Sequence, residues 1–123
     1  MGRRVLVVED DRNVRDYLAA ALESAGRELE IVAASNGREA SERLSAAEFD
    51  LLLTDLNMPE VNGIELVRVV RSSFPNLPIV LMSGASSEWR PDLAREGIDD
   101  LPLLTKPVSV SQLVELVTGI LGV

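Results

Sequence analysis

Five short apolar runs separated by amphipathic segments constrain the fold of this 123-residue chain more than any other feature. The runs cover residues 5–8, 29–34, 51–54, 79–82 and 101–104. Most are continuously apolar rather than alternating, the pattern of strands buried on both faces of a parallel sheet. Between them, apolar residues recur at helical spacing: Val14, Leu18, Ala21, Leu22 and Ala25; Ala40, Leu44 and Ala47; Ile64, Val67 and Val70; and Leu113, Val117, Ile120 and Leu121. The segment 86–96 is weaker and contains Pro91, which predicts a helix that starts late or kinks. Ser109 with Gln112 predicts a capping box, and Asn36 with Glu39 and Asn62 with Glu65 predict looser versions. Gly26 and Gly97 stand where helices should stop. The order is β-α five times over, which implies an α/β parallel sheet with helices on both faces. With no internal repeat, linker or low-complexity stretch, residues 1–123 are expected to form a single domain.

Composition narrows the function. Apolar residues make up 46% of the chain, enough for a real core without disulfides or a structural metal. There is no cysteine, which excludes disulfides and thiolate metal sites and is compatible with a reducing compartment. There is no histidine either, so the chain is neither a histidine kinase nor a histidine phosphotransfer protein. Twenty acids against twelve bases give a net charge of -8, a poor basis for binding nucleic acid. That charge fits both solubility and partner steering. No apolar run approaches the roughly 18 residues of a membrane span. The start, Met1-Gly2-Arg3-Arg4, turns acidic too soon after its apolar run for a signal peptide, so the expected location is the cytoplasm.

In open α/β sheets ligands bind beyond the carboxyl ends of the strands, where the strand order reverses. The residues after each run therefore matter most. They are Glu9, Asp10 and Asp11 after the first, Asp55 after the third, Ser83 after the fourth, and Thr105, Lys106 and Pro107 after the fifth. The second run ends in Ser35-Asn36-Gly37, ordinary turn chemistry. Carboxylates from two strands, a hydroxyl and an ammonium would then share one edge. Such an oxygen-rich set suits Mg²⁺, which takes one or two carboxylates, waters and a phosphate oxygen. A carboxylate can also act as a nucleophile and form an aspartyl-phosphate.

The runs Val7-Val8-Glu9-Asp10-Asp11, Leu53-Thr54-Asp55-Leu56-Asn57-Met58-Pro59, Asn62-Gly63, Leu81-Met82-Ser83-Gly84 and Thr105-Lys106-Pro107 resemble the receiver domain of bacterial response regulators. The resemblance covers essentially the whole chain. It implies a doubly wound, flavodoxin-like sheet of five strands in the order 2-1-3-4-5. It implies that Asp55 accepts a phosphoryl group from a partner phosphohistidine, on a sensor histidine kinase or a histidine phosphotransfer protein. Glu9, Asp10 and Asp55 would help bind Mg²⁺, for which Mn²⁺ can substitute, together with the backbone carbonyl of Asn57. Ser83 would be the switch hydroxyl, and Lys106 would contact the phosphoryl oxygens and pair with Asp55 beforehand. The Lys106-Pro107 peptide bond is expected to be cis. A downstream target or output domain would read the phosphorylated form, and phosphorylation-dependent pairing through the fourth and fifth helices is a further expectation.

The chain departs from that pattern in places. Many receivers carry an aromatic residue on the fifth strand, whereas residues 101–104 hold none, so output is expected through the fourth helix and its loop. The stretch 97–106 is long and is similar to receivers attached to hybrid sensor kinases. Pro102 fits a strand only at a sheet edge. The positions that tune hydrolysis in the family are Asn57 and Ala85. Ala85 is small, which predicts a short-lived phosphorylated state that Ala85→Arg should prolong.

Plainer roles suit other residues. Asp11 is expected at the first helix N-terminus rather than on the metal. Met58-Pro59 and Gly63 are expected to shape a turn into the third helix. Tyr17 is expected at the edge of the first helix, and Trp89 reads equally as a partner contact or a partly buried ring. Three other functions fit less well. An aspartyl-phosphate hydrolase of the haloacid-dehalogenase type wants an acid two residues after the nucleophile, where this chain has Asn57, and it needs a cap domain. A flavodoxin-like binder wants a Ser/Thr/Gly-rich loop after the first strand, where this chain has three acids. A receiver that only binds partners would not need the full set of acids, hydroxyl and lysine.

Overall fold

The computed structural model describes residues 2–26, 28–58, 63–84 and 86–123. Five strands, β1 (Arg3–Val8), β2 (Leu29–Ala34), β3 (Leu51–Asp55), β4 (Ile79–Ser83) and β5 (Leu103–Thr105), alternate with five helices. The helices are α1 (Arg12–Ala25), α2 (Gly37–Ala46), α3 (Gly63–Ser73), α4 (Ser86–Arg95) and α5 (Val110–Leu121). All strand pairs are parallel, and the sheet order is β2-β1-β3-β4-β5, as the resemblance implies.

Successive strand residues point to opposite faces, and each face has its own apolar layer. Leu6, Val8, Leu52 and Leu81 pack with Ala40 and Leu44 of α2, Val67 and Val70 of α3, and Leu93 of α4. Val5, Val7, Leu51, Leu53, Val80 and Met82 pack on the other face with Leu18 and Leu22 of α1 and Leu113 and Val117 of α5. Every residue of β3 and β4 is buried, which is why their runs show no polar alternation.

The helix ends follow local chemistry. The Asp11 carboxylate caps α1, accepting from the amides of Asn13 at 2.9 Å and Val14 at 3.2 Å. Asn36 accepts from the Glu39 amide at 2.8 Å, and the Glu39 carboxylate turns to the amide and hydroxyl of Ser35. Ser109 accepts from the Gln112 amide at 3.3 Å. The predicted cap at Asn62 lies outside the described residues, as do Pro59 and Ala85. Gly26 ends α1 in extended backbone, whereas Gly97 follows α4 with φ of +72°, the left-handed conformation that glycine tolerates best.

Two expectations need correction. The fifth strand begins at Leu103, two residues later than the apolar run suggests. Leu101 is still in a turn, its amide bonded to the Ile98 carbonyl, and Pro102 has no amide to give the ladder. The Pro102 carbonyl nonetheless accepts from Leu81 at 2.8 Å, and β5 is the sheet edge that tolerates this proline. The second correction concerns α4, which starts at Ser86 rather than late and runs through Pro91. Among the described residues, no helix is long and apolar enough to cross a membrane.

Candidate functional site

The acids and the lysine meet at the carboxyl end of the sheet. Glu9 follows β1 directly and extends its pairing with β2, its amide donating to the Ala34 carbonyl at 3.0 Å. Its side chain is buried beside Asp55, the last residue of β3. Lys106 Nζ bridges the two, donating to Glu9 Oε1 at 2.6 Å and to Asp55 Oδ2 at 3.0 Å. The remaining oxygens are held by backbone: Glu9 Oε2 accepts from the Asp11 amide at 3.1 Å, and Asp55 Oδ1 from the Asn57 amide at 3.2 Å. One oxygen each from Glu9, Asp10 and Asp55 lie within 4.8 Å of one another. Asp10 is exposed, and among the described residues its carboxylate makes no hydrogen bond or ion pair.

Ser83 is buried at the end of β4, one residue beyond Met82, the register partner of Asp55. Its carbonyl accepts from the Lys106 amide at 2.9 Å, so the backbones carrying hydroxyl and ammonium are joined. The Lys106-Pro107 bond is cis. Asn57 is exposed, and its amide serves Asp55 as described. Asp11 stands apart from the three converging carboxylates as the cap of α1. The Tyr17 hydroxyl donates to the Val108 carbonyl at 3.0 Å while the ring stays about half exposed. Trp89 packs partly buried against the apolar layer under α3 and α4.

Burial governs the electrostatics. It pushes the Glu9 carboxyl up, with the Asp55 charge adding and the Lys106 and Asp11 hydrogen bonds opposing. Burial pulls the Lys106 ammonium down, but the hydrogen bonds to Glu9 and Asp55 outweigh it and leave it raised. The ammonium therefore stays charged near neutral pH. Removing it would leave two almost fully buried carboxylates facing each other. We expect Lys106→Met to cost the metal-free protein about 2 kcal/mol, below the range for breaking a fully buried pair because Lys106 keeps partial contact with water. Thermal unfolding in EDTA measures this, and an unchanged midpoint would show that the bridge adds no stability.

Three further residues support the site, and of these only Gly63 is expected from the sequence to have a role, in the turn into α3. The Arg15 guanidinium on α1 donates to the Glu9 carbonyl at 2.9 Å and stands 3.5 Å from the Asp10 carbonyl. The Thr54 hydroxyl, fully buried, donates to the Asp55 carbonyl at 3.1 Å. Gly63 opens α3 against the chain just past Asp55, its amide donating to the Leu56 carbonyl at 3.0 Å. An arginine one turn into the helix after an acid pair is a pattern that could have flagged the first of these.

Comparison with known proteins agrees with this geometry. The family described as Response regulator receiver domain matches residues 5–118. The chain belongs to that family. Receivers of response regulators accept phosphoryl groups in two-component signalling, and this receiver has relatives on that pathway. It is 40% identical over 113 residues to the response regulator receiver protein CpdR of Brucella abortus, covering 91% of each chain. It also matches the sensor kinase/phosphatase CqsS of Vibrio cholerae at 38% identity, over 69% of this receiver but 12% of that protein. It spans about half of other curated relatives, such as 51% of the transcriptional regulatory protein CusR of Escherichia coli. Among solved structures it resembles the response regulator TrrA of Thermotoga maritima in complex with Mg²⁺-BeF. That match has a TM-score of 0.83 and 31% identity, over 96% of this receiver and 98% of that chain.

Proposed function

We propose that Asp55 takes a phosphoryl group from a phosphohistidine of a sensor histidine kinase or a histidine phosphotransfer protein. In this reading residues 1–123 act as one receiver domain. The observation that carries it is the convergence of the Glu9, Asp10 and Asp55 carboxylates within 4.8 Å, with the Lys106 ammonium on two of them.

Three carboxylate oxygens at one point are costly unless a cation joins them, and such a donor set fits a hard divalent ion. Glu9, Asp10 and Asp55, with the Asn57 backbone carbonyl, would hold Mg²⁺ or Mn²⁺. The ion supplies neutralising charge for the phosphoryl oxygens when bound. The TrrA structure, which contains Mg²⁺-BeF, supports carrying this ligand class over to the present chain.

The transfer itself belongs to Asp55. One of its carboxylate oxygens forms a bond to phosphorus as the phosphorus–nitrogen bond to the partner imidazole breaks. The electron pair stays on the imidazole, which takes up a proton. Lys106 turns from the bare carboxylates to the phosphoryl oxygens, and the Ser83 hydroxyl takes another of those oxygens. Slow hydrolysis resets the site, so the receiver signals and does not turn over an outside substrate. The phosphorylated form favours a conformation that a downstream protein, an output domain or a second receiver reads.

Intact mass after incubation with acetyl phosphate tests the reading. We expect a gain of one phosphoryl group with Mg²⁺ and none with EDTA. A folded protein that binds Mg²⁺ yet gains no mass in any condition would defeat it, leaving a module that only binds partners.

A further inference from the structure

We infer that Arg15 is a positioning residue for the metal site, fixing the main chain from which the acid pair projects. This rests on the Mg²⁺ reading of Glu9, Asp10 and Asp55.

The two acids are supported very differently. Glu9 has both carboxylate oxygens engaged, one by Lys106 and one by the Asp11 amide. The Asp10 carboxylate is exposed and, among the described residues, has no side-chain partner at all. Its direction is therefore set by the backbone on either side of it. After Asp10 that backbone is fixed by the cap: Asp11 accepts from Asn13 and Val14 through its carboxylate and from Arg15 through its carbonyl at 2.8 Å. Before Asp10 the last ladder bond is Glu9 to Ala34. Between these anchors stand two carbonyls, those of Glu9 and Asp10, and the guanidinium of Arg15 faces both. Its bond to the Glu9 carbonyl is a good one at 2.9 Å, while the 3.5 Å approach to Asp10 is mainly electrostatic.

Charge alone and positioning predict opposite signs. A cation beside a metal site repels Mg²⁺, so a purely electrostatic Arg15 would weaken binding and its removal would tighten it. A guanidinium aimed at carbonyls stiffens the loop and holds Asp10 in place, so its removal would loosen the site. The guanidinium is half-buried against main chain and directed at no carboxylate of the site, which favours the second effect.

The test is calorimetric Mg²⁺ titration of the unmodified protein, Arg15→Met and Arg15→Lys. Positioning predicts that Arg15→Met weakens Mg²⁺ binding on the order of 10-fold, the scale found for groups that orient metal ligands from behind. Arg15→Lys, which keeps a donor, should recover part of the loss. Acetyl phosphate labelling should then need more Mg²⁺ to reach half-maximal rate, with a much smaller fall in rate at saturation. Amide exchange at Asp11 in the metal-free variant should speed up, a change that a charge effect would not produce. Unchanged or tighter Mg²⁺ binding in Arg15→Met overturns the inference. If Arg15→Met does not fold, Arg15→Lys decides, with Asp11 exchange and Mg²⁺ affinity both unaltered counting against it. If the unmodified protein fails to bind Mg²⁺, the site reading falls and the inference with it.

Discussion

Asp55→Asn should gain no phosphoryl group from acetyl phosphate at any Mg²⁺ concentration, while remaining folded. The amide is nearly the same shape as the carboxylate, and its single oxygen can keep one of the two bonds that the carboxylate oxygens accept separately, from the Asn57 amide and from Lys106. What it lacks is the anionic oxygen that attacks phosphorus in the proposed transfer. The same substitution should leave the metal-free protein as stable as the original or more so. In the native site two buried carboxylates share one ammonium, an excess of negative charge where burial already penalises it. Neutralising Asp55 leaves Glu9 and Lys106 as a balanced pair. Opposite signs are thus expected from the two sides of one cluster, Lys106→Met losing stability and Asp55→Asn keeping or gaining it. Labelling equal to that of the unmodified protein would move the acceptor role to another acid.

Gly63→Ala should cost about 3 kcal/mol and slow phosphorylation, although Gly63 touches neither metal nor phosphate in the proposed chemistry. A Cβ built at Gly63 would stand 2.5 Å from Leu56 Cα and 2.6 Å from the Asp55 carbonyl oxygen. Both are backbone atoms, so no rotamer change relieves the contact. Either α3 backs away from the sheet, opening the layer formed by Ile64, Val67 and Val70, or the chain at Asp55–Leu56 shifts. The first response appears in denaturant unfolding, the second in the rate of acetyl phosphate labelling. A variant with native stability and native rate would show that Asp55, Leu56 and α3 accommodate the methyl group without cost.

Much of this was readable in the residues, and the reasons are physical. Four apolar runs fall inside observed strands; in β3 and β4 burial on both faces leaves nothing polar to break the pattern, while the edge strand β2 is recognisable despite the exposed Glu30 within it. The fifth misleads because Leu101 is apolar yet bonded into a turn, and Pro102 supplies no amide. The converging acids were visible as the residues following β1 and ending β3, since parallel strands bring their carboxyl ends to one edge. The balance of partners within the cluster was not. Lys106 makes its shorter bond to Glu9, not to Asp55, and only the reach of a glutamate side chain in three dimensions decides that. Arg15 escaped for another reason: its partners are carbonyls, which every residue has, so only its place one turn into the helix after the acid pair could have marked it. Gly63 could be assigned to a turn from its neighbours, but its tight approach to the Asp55–Leu56 peptide has no trace in sequence spacing.

The brevity of β5 has a consequence for how a signal could leave the domain. Three register pairs tie this strand to β4, among the described residues no strand lies on its other flank, and Lys106 is the next residue along. The positive charge of the site is thus mounted on the least anchored rail of the sheet. If Lys106 moves as proposed, a protein gripping that rail from outside would also set how far the ammonium travels between bare carboxylates and a phosphoryl group. By thermodynamic reciprocity, a phosphoryl group on Asp55 would then set how firmly the rail is gripped. Such a domain can communicate through the displacement of a short edge strand, with no aromatic ring required to turn inward.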